Sequence, residues 1–228
     1  LDTAARLDMN LIPGAPRRDP QRVMALMRAL ARNLATEASL TLLGREAGGG
    51  SPLAPTTVRS YIDDLARLYV LEELPAWRAH LRSKIRLRVQ PTWHFADPSL
   101  AAALLDAGES HLLSEPLTLG FFFESLAIRD LRVYSGANRA SVYHYRDDSG
   151  LEVDAVIESR DGSWIAVEIK LGGQPLIESA ARNLQKLAAK VTEAKRDALR
   201  NLVVITAGQT SYTRDDGVHV VALGNLTA

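Results

Sequence analysis

The sequence predicts an α/β protein of two domains, in which a winged-helix-like helical domain precedes an α/β sandwich built around a mixed sheet. Amphipathic helical stripes occur within the first 70 residues, alternating apolar and polar runs begin near residue 142, and a long amphipathic stretch follows those runs. A chain of 228 residues has room for two ordinary domains, and we place them at 1–91 and 92–228.

The composition excludes several classes of protein. Hydrophobic residues make up 46% and charged residues 24% of the chain, as in ordinary globular proteins. There is no cysteine, which excludes a disulfide scaffold, a thiolate zinc site and a cysteine nucleophile. The longest apolar runs, such as Leu117–Phe123, are far shorter than the roughly 20 residues that cross a bilayer. We therefore expect a cytoplasmic protein without a membrane span.

The charge is unevenly distributed along the chain. Residues 1–91 hold 14 Lys or Arg against 9 Asp or Glu, whereas residues 92–228 hold 13 against 18. The first domain is therefore suited to a polyanion such as DNA, and the second to a cation. Because the chain starts at Leu1 and its first stretch reads like the end of another domain, we expect it to be a fragment.

The first domain is predicted to contain three helices, at Pro20–Ala35, Leu40–Glu46 and Thr56–Tyr69. Val70–Trp77 and a basic stretch follow them, an order that is typical of a winged helix-turn-helix. A three-helix packing domain without DNA contacts accounts for the same pattern, and the sequence leaves both interpretations open.

A basic strip and one helical arginine are the candidate nucleic-acid contacts. Strand alternation would project Arg82, Lys84, Arg86 and Arg88 from a single face, which a phosphate backbone would attract. Arg59, early in the third helix, is the candidate for contacting a base. The alternative for the strip is a solvated edge strand that its charge protects from aggregation.

The second domain is predicted to begin with a helix, a hairpin and a third strand, and to end with a long helix and two further strands. The turn residues Asp147-Asp148-Ser149-Gly150 join the hairpin. In chain order the predicted elements are Leu113–Tyr134, Val142–Arg146, Leu151–Glu158, Trp164–Leu171, Leu176–Leu199, Leu202–Thr206 and Val218–Leu223.

Acidic side chains lie on neighbouring predicted strands. Alternation sends Glu152 and Asp154 to one face of the first strand, and Glu168 and Lys170 to one face of the next. If these strands pair, Asp154 lies beside Glu168, and two adjacent carboxylates repel each other unless a cation neutralises them. Oxygen ligands with open water positions suit Mg²⁺ or Mn²⁺. Taken alone, Asp154 is typical of an acidic residue on a strand surface. Taken alone, Glu168 and Lys170 are typical of a salt bridge on a strand surface.

Lys170 and an upstream glutamate complete a set of groups for metal-assisted phosphodiester hydrolysis. Lys170 can position or deprotonate an attacking water and balance phosphate charge. Glu124, which follows three phenylalanines on the predicted helix, completes the metal shell or acts as the base. We therefore expect a PD-(D/E)XK nuclease-type core with Asp154, Glu168 and Glu124 as metal ligands.

Motifs spread over most of the chain resemble the C-terminal domain of unknown function that is found in bacterial and archaeal AAA-type ATP-binding proteins. Its specific part is the series Gly120-Phe121-Phe122-Phe123-Glu124, Gly150-Leu151-Glu152-Val153-Asp154 and Val167-Glu168-Ile169-Lys170. Thr56-Thr57-Val58-Arg59-Ser60-Tyr61-Ile62 resembles that family's winged-helix segment.

The resemblance implies that an AAA-type ATPase domain precedes this region. No Gly-x-x-x-x-Gly-Lys-Ser/Thr motif occurs in the chain, so ATP would act only through that absent ATPase domain. The chain departs from the family at Pro91-Thr92-Trp93-His94, where a lysine and a tyrosine are usual. Similar nuclease folds often carry a glutamine on the helix after the lysine strand, which makes Gln185 a candidate.

Two functions follow from these patterns. The first is a divalent-metal-dependent nuclease-like domain with Glu124, Asp154, Glu168 and Lys170 as catalytic residues. The second is a non-catalytic DNA-binding or partner-binding regulatory module of the ATPase, in which the acidic cluster has no chemical role. The oligomeric state is not determined by the sequence.

Overall fold

A computed structural model describes residues 18–78 and 90–227, and the chain forms two compact units. The described residues up to Glu73 group with Thr92–Ser125, and those of Leu74–Pro91 group with the chain from Leu126 onward. The chain therefore passes from the first unit into the second and returns, before it enters the second unit again after Ser125.

The first unit contains the three predicted helices, which are confirmed as α1 (Pro20–Arg32), α2 (Leu40–Gly48) and α3 (Pro55–Arg67). A two-stranded sheet of β1 (Leu71–Leu74) and β2 (Thr92–Phe95) follows them. The side chains of Asp19 and Ser39 cap α1 and α2, because each accepts a backbone N–H of the first turn. The core of this unit includes Val23, Leu26, Leu30, Leu43, Val58, Ile62, Leu65, Trp93 and Phe95.

Two short helices of the first unit were not predicted. In α4 (Pro98–Leu104) the Asp97 side chain accepts the Ser99 backbone N–H at 2.8 Å, and Pro98 occupies the first turn. These are ordinary helix-start signals, so the sequence contained the evidence for α4. In α5 (Glu109–Ser114) no residue is buried, which explains why no apolar stripe indicated it.

The helix that carries Glu124 is α6 (Pro116–Ala137), and it begins three residues later than predicted. Proline is tolerated in the first turn of a helix because its missing N–H would have no partner there. The division between the two units falls within α6, after Ser125.

The second unit contains a six-stranded mixed sheet packed with helices, which confirms the predicted α/β class. The strand order is β3-β4-β5-β6-β8-β7, with β3, β4 and β5 antiparallel and β5, β6 and β8 parallel. The strands are β3 (Ala140–Arg146), β4 (Glu152–Ser159), β5 (Trp164–Lys170), β6 (Leu199–Thr206), β7 (Tyr212–Thr213) and β8 (His219–Ala222).

The predicted helix Leu176–Leu199 was wrong in its length. The structure has α7 (Gln174–Lys190) and a separate short helix, α8 (Glu193–Asp197), with Val191 extended and buried between them. The indole N–H of Trp164 donates to the Lys195 carbonyl at 2.6 Å. This contact with β5 comes from tertiary packing, which helical periodicity along one segment does not contain.

The segment before the undescribed residues 79–89 joins the second unit. Ala76 forms a parallel bridge to His144, and the Trp77 indole packs 4.6 Å from the ring of Trp164. The Trp77 indole N–H also donates to Glu158 at 3.0 Å. Trp77 is thus a core residue of this unit.

Asp147 organises the hairpin between β3 and β4, where the predicted turn is confirmed. Gly150 has a φ of 81°, which a glycine adopts without steric cost. The buried Asp147 carboxylate accepts hydrogen bonds from Tyr145 Oη at 3.1 Å, the Leu151 N–H at 3.2 Å and Lys190 Nζ at 2.6 Å. Although burial alone raises it, these donors hold the pKa of Asp147 well below its usual range.

Replacing Asp147 with Asn is expected to destabilise the chain by about 2 kcal/mol, because Asn cannot satisfy the same donors. Folding lowers the pKa of Asp147. The contribution of Asp147 to the free energy of unfolding is therefore fully present above the unfolded pKa of about 4 and is lost as the pH falls below that value. Urea unfolding between pH 7 and pH 2 measures this. The exposed neighbour provides the control Asp148→Asn. Equal midpoints for both variants at pH 7 would contradict the assignment.

Within the part of the chain that the structure describes, we find no helix with the length and apolarity required to cross a bilayer.

Candidate metal and catalytic site

Strands β4 and β5 bring Asp154, Glu168 and Lys170 together. The antiparallel register sets Val156 opposite Ala166, and continuing it sets Asp154 opposite Glu168. Lys170 Nζ lies 2.8 Å from Asp154 Oδ2 and 2.6 Å from Glu168 Oε2. The alternation in the sequence therefore predicted correctly that these three side chains converge.

Further hydrogen bonds fix both carboxylates. The Ile169 backbone N–H donates to Asp154 Oδ2 at 2.7 Å, and Asn183 Nδ2 donates to Glu168 Oε1 at 3.2 Å. The Glu168 side chain is 2% exposed, whereas those of Asp154 and Lys170 are 12% and 27% exposed. The site thus opens to solvent through Asp154 and Lys170, with Glu168 at its base.

The charges of Asp154, Glu168 and Lys170 depend on one another. Burial and the neighbouring Asp154 charge raise the pKa of Glu168 to about 8, an effect that Lys170 and Asn183 only partly offset. Burial alone would lower the pKa of Lys170, but the charges of Asp154 and Glu168 outweigh it and raise that pKa. Lys170 is therefore protonated at neutral pH and pairs with the Asp154 carboxylate, while the raised pKa leaves Glu168 largely protonated there.

Asn183 is a site residue that the sequence interpretation missed. It lies on α7 one turn from Ala180 and Leu187, which are fully buried, so it borders the apolar stripe of the helix. A polar residue in that position was the available signal. Gln185, the candidate from the resemblance, is exposed and hydrogen-bonds Asp216 instead.

Glu152 and Glu124 differ from the central residues. Glu152 is exposed and pairs with Arg146 at 3.5 Å. Although it shares a strand face with Asp154, it is not an ion-pair partner of Lys170. Glu124 is half-buried on α6 and is described with the first unit by itself. Its role as a metal ligand or base stays a prediction.

Across residues 18–78 and 90–227 there is no group of three or more His, Asp or Glu side chains arranged to hold a metal ion. Asp154 and Glu168 form a pair of carboxylates. Any divalent ion at this pair would need oxygen ligands from water or substrate, as is common for Mg²⁺.

The predicted nucleic-acid contacts divide into described and undescribed residues. Arg59 forms ion pairs with Asp63 at 3.0 Å and with Glu73 at 2.5 Å, so contact with a base would require these pairs to open. The basic strip Arg82, Lys84, Arg86 and Arg88 lies outside the described residues.

Three residues of the segment that departs from the family pattern, Thr92, Trp93 and His94, are buried in the first unit. The Trp93 indole N–H donates to the Ala38 carbonyl at 2.8 Å. The His94 ring nitrogens lie 3.0 Å from Thr92 Oγ1 and 3.2 Å from Ser125 Oγ. These residues therefore hold β2 in place within the helical unit.

Comparison with family models gives two matches, one in each part of the chain. Residues 119–226, which contain the acidic pair, match the model of one family. That family is a domain of unknown function, DUF4143. Residues 7–111 match a second domain of unknown function, DUF8612.

Similar proteins occur in mycobacteria. The chain is 27% identical over 186 residues to "Uncharacterized protein Mb2031c" of Mycobacterium bovis and, equally, to "Uncharacterized protein Rv2008c" of Mycobacterium tuberculosis. These matches cover 79% of the chain and 41% of each relative, so the chain spans less than half the length of the curated relatives. No solved structure matches the chain significantly.

Proposed function

We propose that the second unit is a divalent-metal-dependent phosphodiester hydrolase with a PD-(D/E)XK nuclease-like core. The observation that supports this proposal is the placement of two carboxylates opposite each other on adjacent strands, with one lysine contacting both. Lys170 Nζ lies within 2.8 Å of both Asp154 and Glu168. Along the chain, a helix, three antiparallel strands, a second helix and a parallel strand follow one another in the order expected for such a core.

The donor set suits Mg²⁺ or Mn²⁺. Both ions prefer carboxylate oxygens and retain waters, and Mg²⁺ is usually held by one or two protein carboxylates together with substrate phosphates. Asp154 and Glu168 would hold the ion, and water or substrate phosphate oxygens would supply its other ligands. The chemistry that the ion supplies is polarisation of a phosphoryl oxygen and acidification of a coordinated water.

Lys170 would act as a cation and not as a base. Its raised pKa keeps the ammonium group protonated, so Nζ can donate hydrogen bonds to a phosphate oxygen or an attacking water. Asn183, through its hydrogen bond to Glu168, would hold that carboxylate in one orientation.

The test is a metal titration combined with a hydrolysis assay on the 228-residue chain. Isothermal titration calorimetry with MgCl₂ and MnCl₂ is expected to show weak binding, as is typical of open sites that keep several waters. Linear and circular DNA and single-stranded RNA are then incubated with and without each ion. Absence of divalent-ion binding, with and without DNA, would remove the chemical basis of the proposal.

For residues 1–91 we propose a winged-helix-like module that binds DNA through the basic strip Arg82, Lys84, Arg86 and Arg88. Replacing all four with Gln is expected to weaken DNA binding and to reduce the slope of affinity against salt, because phosphate contacts release counterions. Fluorescence anisotropy with duplex DNA from about 50 to 200 mM salt measures both. The matched control replaces four exposed basic residues elsewhere, namely Arg28, Arg182, Lys186 and Arg200. If the slope of DNA affinity against salt is equal for the two quadruple variants, the strip is a solvated edge strand.

A partner-binding module is the second candidate, and exposed apolar side chains favour it. Leu113, Leu117 and Phe121 are 62%, 86% and 43% exposed in the first unit. Exposed apolar patches of this kind mark interaction sites. The partner that we propose is an N-terminal AAA-type ATPase domain of the longer protein. If metal binding fails while Leu117→Ser abolishes association with that domain, this candidate replaces the hydrolase.

A further inference from the structure

A cavity in the second unit lies away from the acidic pair. It has a volume of about 790 Å³ and is lined by residues at the start of β3 and the end of β4, together with Arg78 and Lys195. Ser159, on its wall, is five residues along β4 from Asp154, a separation of roughly 17 Å at 3.3 Å per residue. The cavity is therefore distinct from the proposed metal site.

The cavity carries an excess of positive charge. Arg78, Arg139, Arg160 and Lys195 line it, and Glu158 is the acidic residue among the lining residues. Glu158 is already engaged, because it pairs with Lys195 and accepts the Trp77 indole N–H. Within the described parts of the chain, Arg78, Arg139 and Arg160 form no ion pair. Three guanidinium charges thus remain without a counter-charge at one cavity.

Acidic residues that are close in sequence and that the structure describes form no ion pair with these arginines. Asp161 follows Arg160, but its carboxylate accepts the backbone N–H of Ser163 at 2.9 Å and its hydroxyl at 2.7 Å. Asp130, earlier on α6, pairs with Arg129 at 2.8 Å. The arginines at the cavity therefore present their positive charge to solvent or to a ligand.

The backbone at Arg139 is unusual for its residue type. It follows the C-terminus of α6 in the left-handed conformation, with a φ of 56°, where glycine or asparagine is the common choice. Ala35, Tyr69 and Asp106 also have a positive φ shortly after helices, so this conformation is a feature of helix ends in this chain and not of the cavity. It places Arg139 on the cavity wall.

We propose that this cavity binds a phosphate-bearing ligand of nucleotide size. Guanidinium groups pair with phosphate oxygens through two parallel hydrogen bonds, and three of them favour a ligand with more than one negative charge. The volume lies in the range of small-molecule sites and exceeds that of a single phosphate. The ring of Tyr143 on the lining offers a surface for a base. This site is independent of the proposed hydrolase activity.

Calorimetry with ADP, in EDTA so that no divalent ion contributes, tests the proposal on the 228-residue chain. We expect ADP to bind and the double variant Arg139→Gln with Arg160→Gln to bind at least about tenfold more weakly, because two charge-assisted contacts are lost. The control Arg182→Gln removes an exposed arginine of α7 and is expected to bind as the unmodified chain does. If Arg139→Gln disturbs the end of α6, Arg78→Gln with Arg160→Gln gives the same comparison.

Several outcomes would overturn the site. These are no ADP binding by the unmodified chain, equal affinity of the double variant and Arg182→Gln, or an equal loss in Asp154→Asn, which would place ADP at the acidic pair. Inorganic pyrophosphate is expected to bind more weakly than ADP, and equal affinity would overturn the nucleotide assignment. Arginine-dependent binding of a 12-nucleotide single strand without ADP binding would assign the cavity to a nucleic acid and would also overturn the proposal.

Discussion

Replacing Asp154 with Asn is expected to abolish divalent-ion binding and to reduce phosphodiester hydrolysis at least about 100-fold, because even residues that only orient metal ligands cost 10- to 100-fold when mutated. The substitution removes one of the two carboxylates that contact Lys170. The remaining carboxylate and the lysine would then have almost no net charge with which to attract an ion.

The same substitution is expected to leave the metal-free chain equally stable or more stable. The neighbouring charge of Asp154 is a cause of the raised pKa of Glu168, so removing it relieves a repulsion that the free site tolerates. The amide oxygen of Asn can still accept the Ile169 N–H that Asp154 accepts at 2.7 Å. Urea unfolding in EDTA, beside calorimetry with MnCl₂, separates loss of binding from loss of fold.

Glu152→Gln is the matched control for this prediction. Glu152 lies two residues from Asp154 on the same strand and has the same charge, but it is exposed and pairs with Arg146. A metal site at the acidic pair predicts that Glu152→Gln binds ions and hydrolyses DNA as the unmodified chain does. If both substitutions reduce metal affinity equally, the ion is attracted by general negative charge and the specific site is wrong.

The strands and the central acidic contacts could be predicted because strand alternation is a property of the backbone. Once Asp154 and Glu168 lay on paired strands, their side chains had to project from the same face of the sheet. The turn residues up to Gly150 indicated the pairing of β3 with β4, since the glycine adopts the positive φ of 81° that the turn needs. The pairing of β4 with β5, which carry the acidic pair, was a condition of the prediction, and the structure shows it.

Features that depend on packing between distant segments could not be predicted. The sequence from Ala188 to Leu199 has no glycine or proline, yet the helix stops at Lys190, and the Lys195 carbonyl of the next helix accepts a hydrogen bond from Trp164 of β5. The bond from Asn183 to Glu168 and that from Lys190 to Asp147 join residues 15 and 43 positions apart. Local periodicity gives the face of a helix but not the sheet position that this face meets.

The final prediction concerns the charge balance inside the site. Replacing Lys170 with Met is expected to destabilise the chain by roughly 3 kcal/mol, because it leaves the buried Glu168 beside Asp154 without a cation. Metal-free unfolding in urea at about pH 9, above the pKa of about 8 of Glu168, measures the loss. The exposed helix residue Lys186 provides the control Lys186→Met, for which a change within about 0.5 kcal/mol is expected.

A second substitution separates this charge effect from lost packing. Adding Glu168→Gln to the Lys170→Met chain removes the uncompensated buried charge and is expected to restore most of the stability, since neutral replacement of both partners of a buried pair is often tolerated. Both variants carry methionine at position 170 and share any loss of packing there. Packing alone therefore predicts no recovery. If the double variant is as unstable as Lys170→Met, the lysine supports the fold through its contacts, and the carboxylate pair does not require a cation.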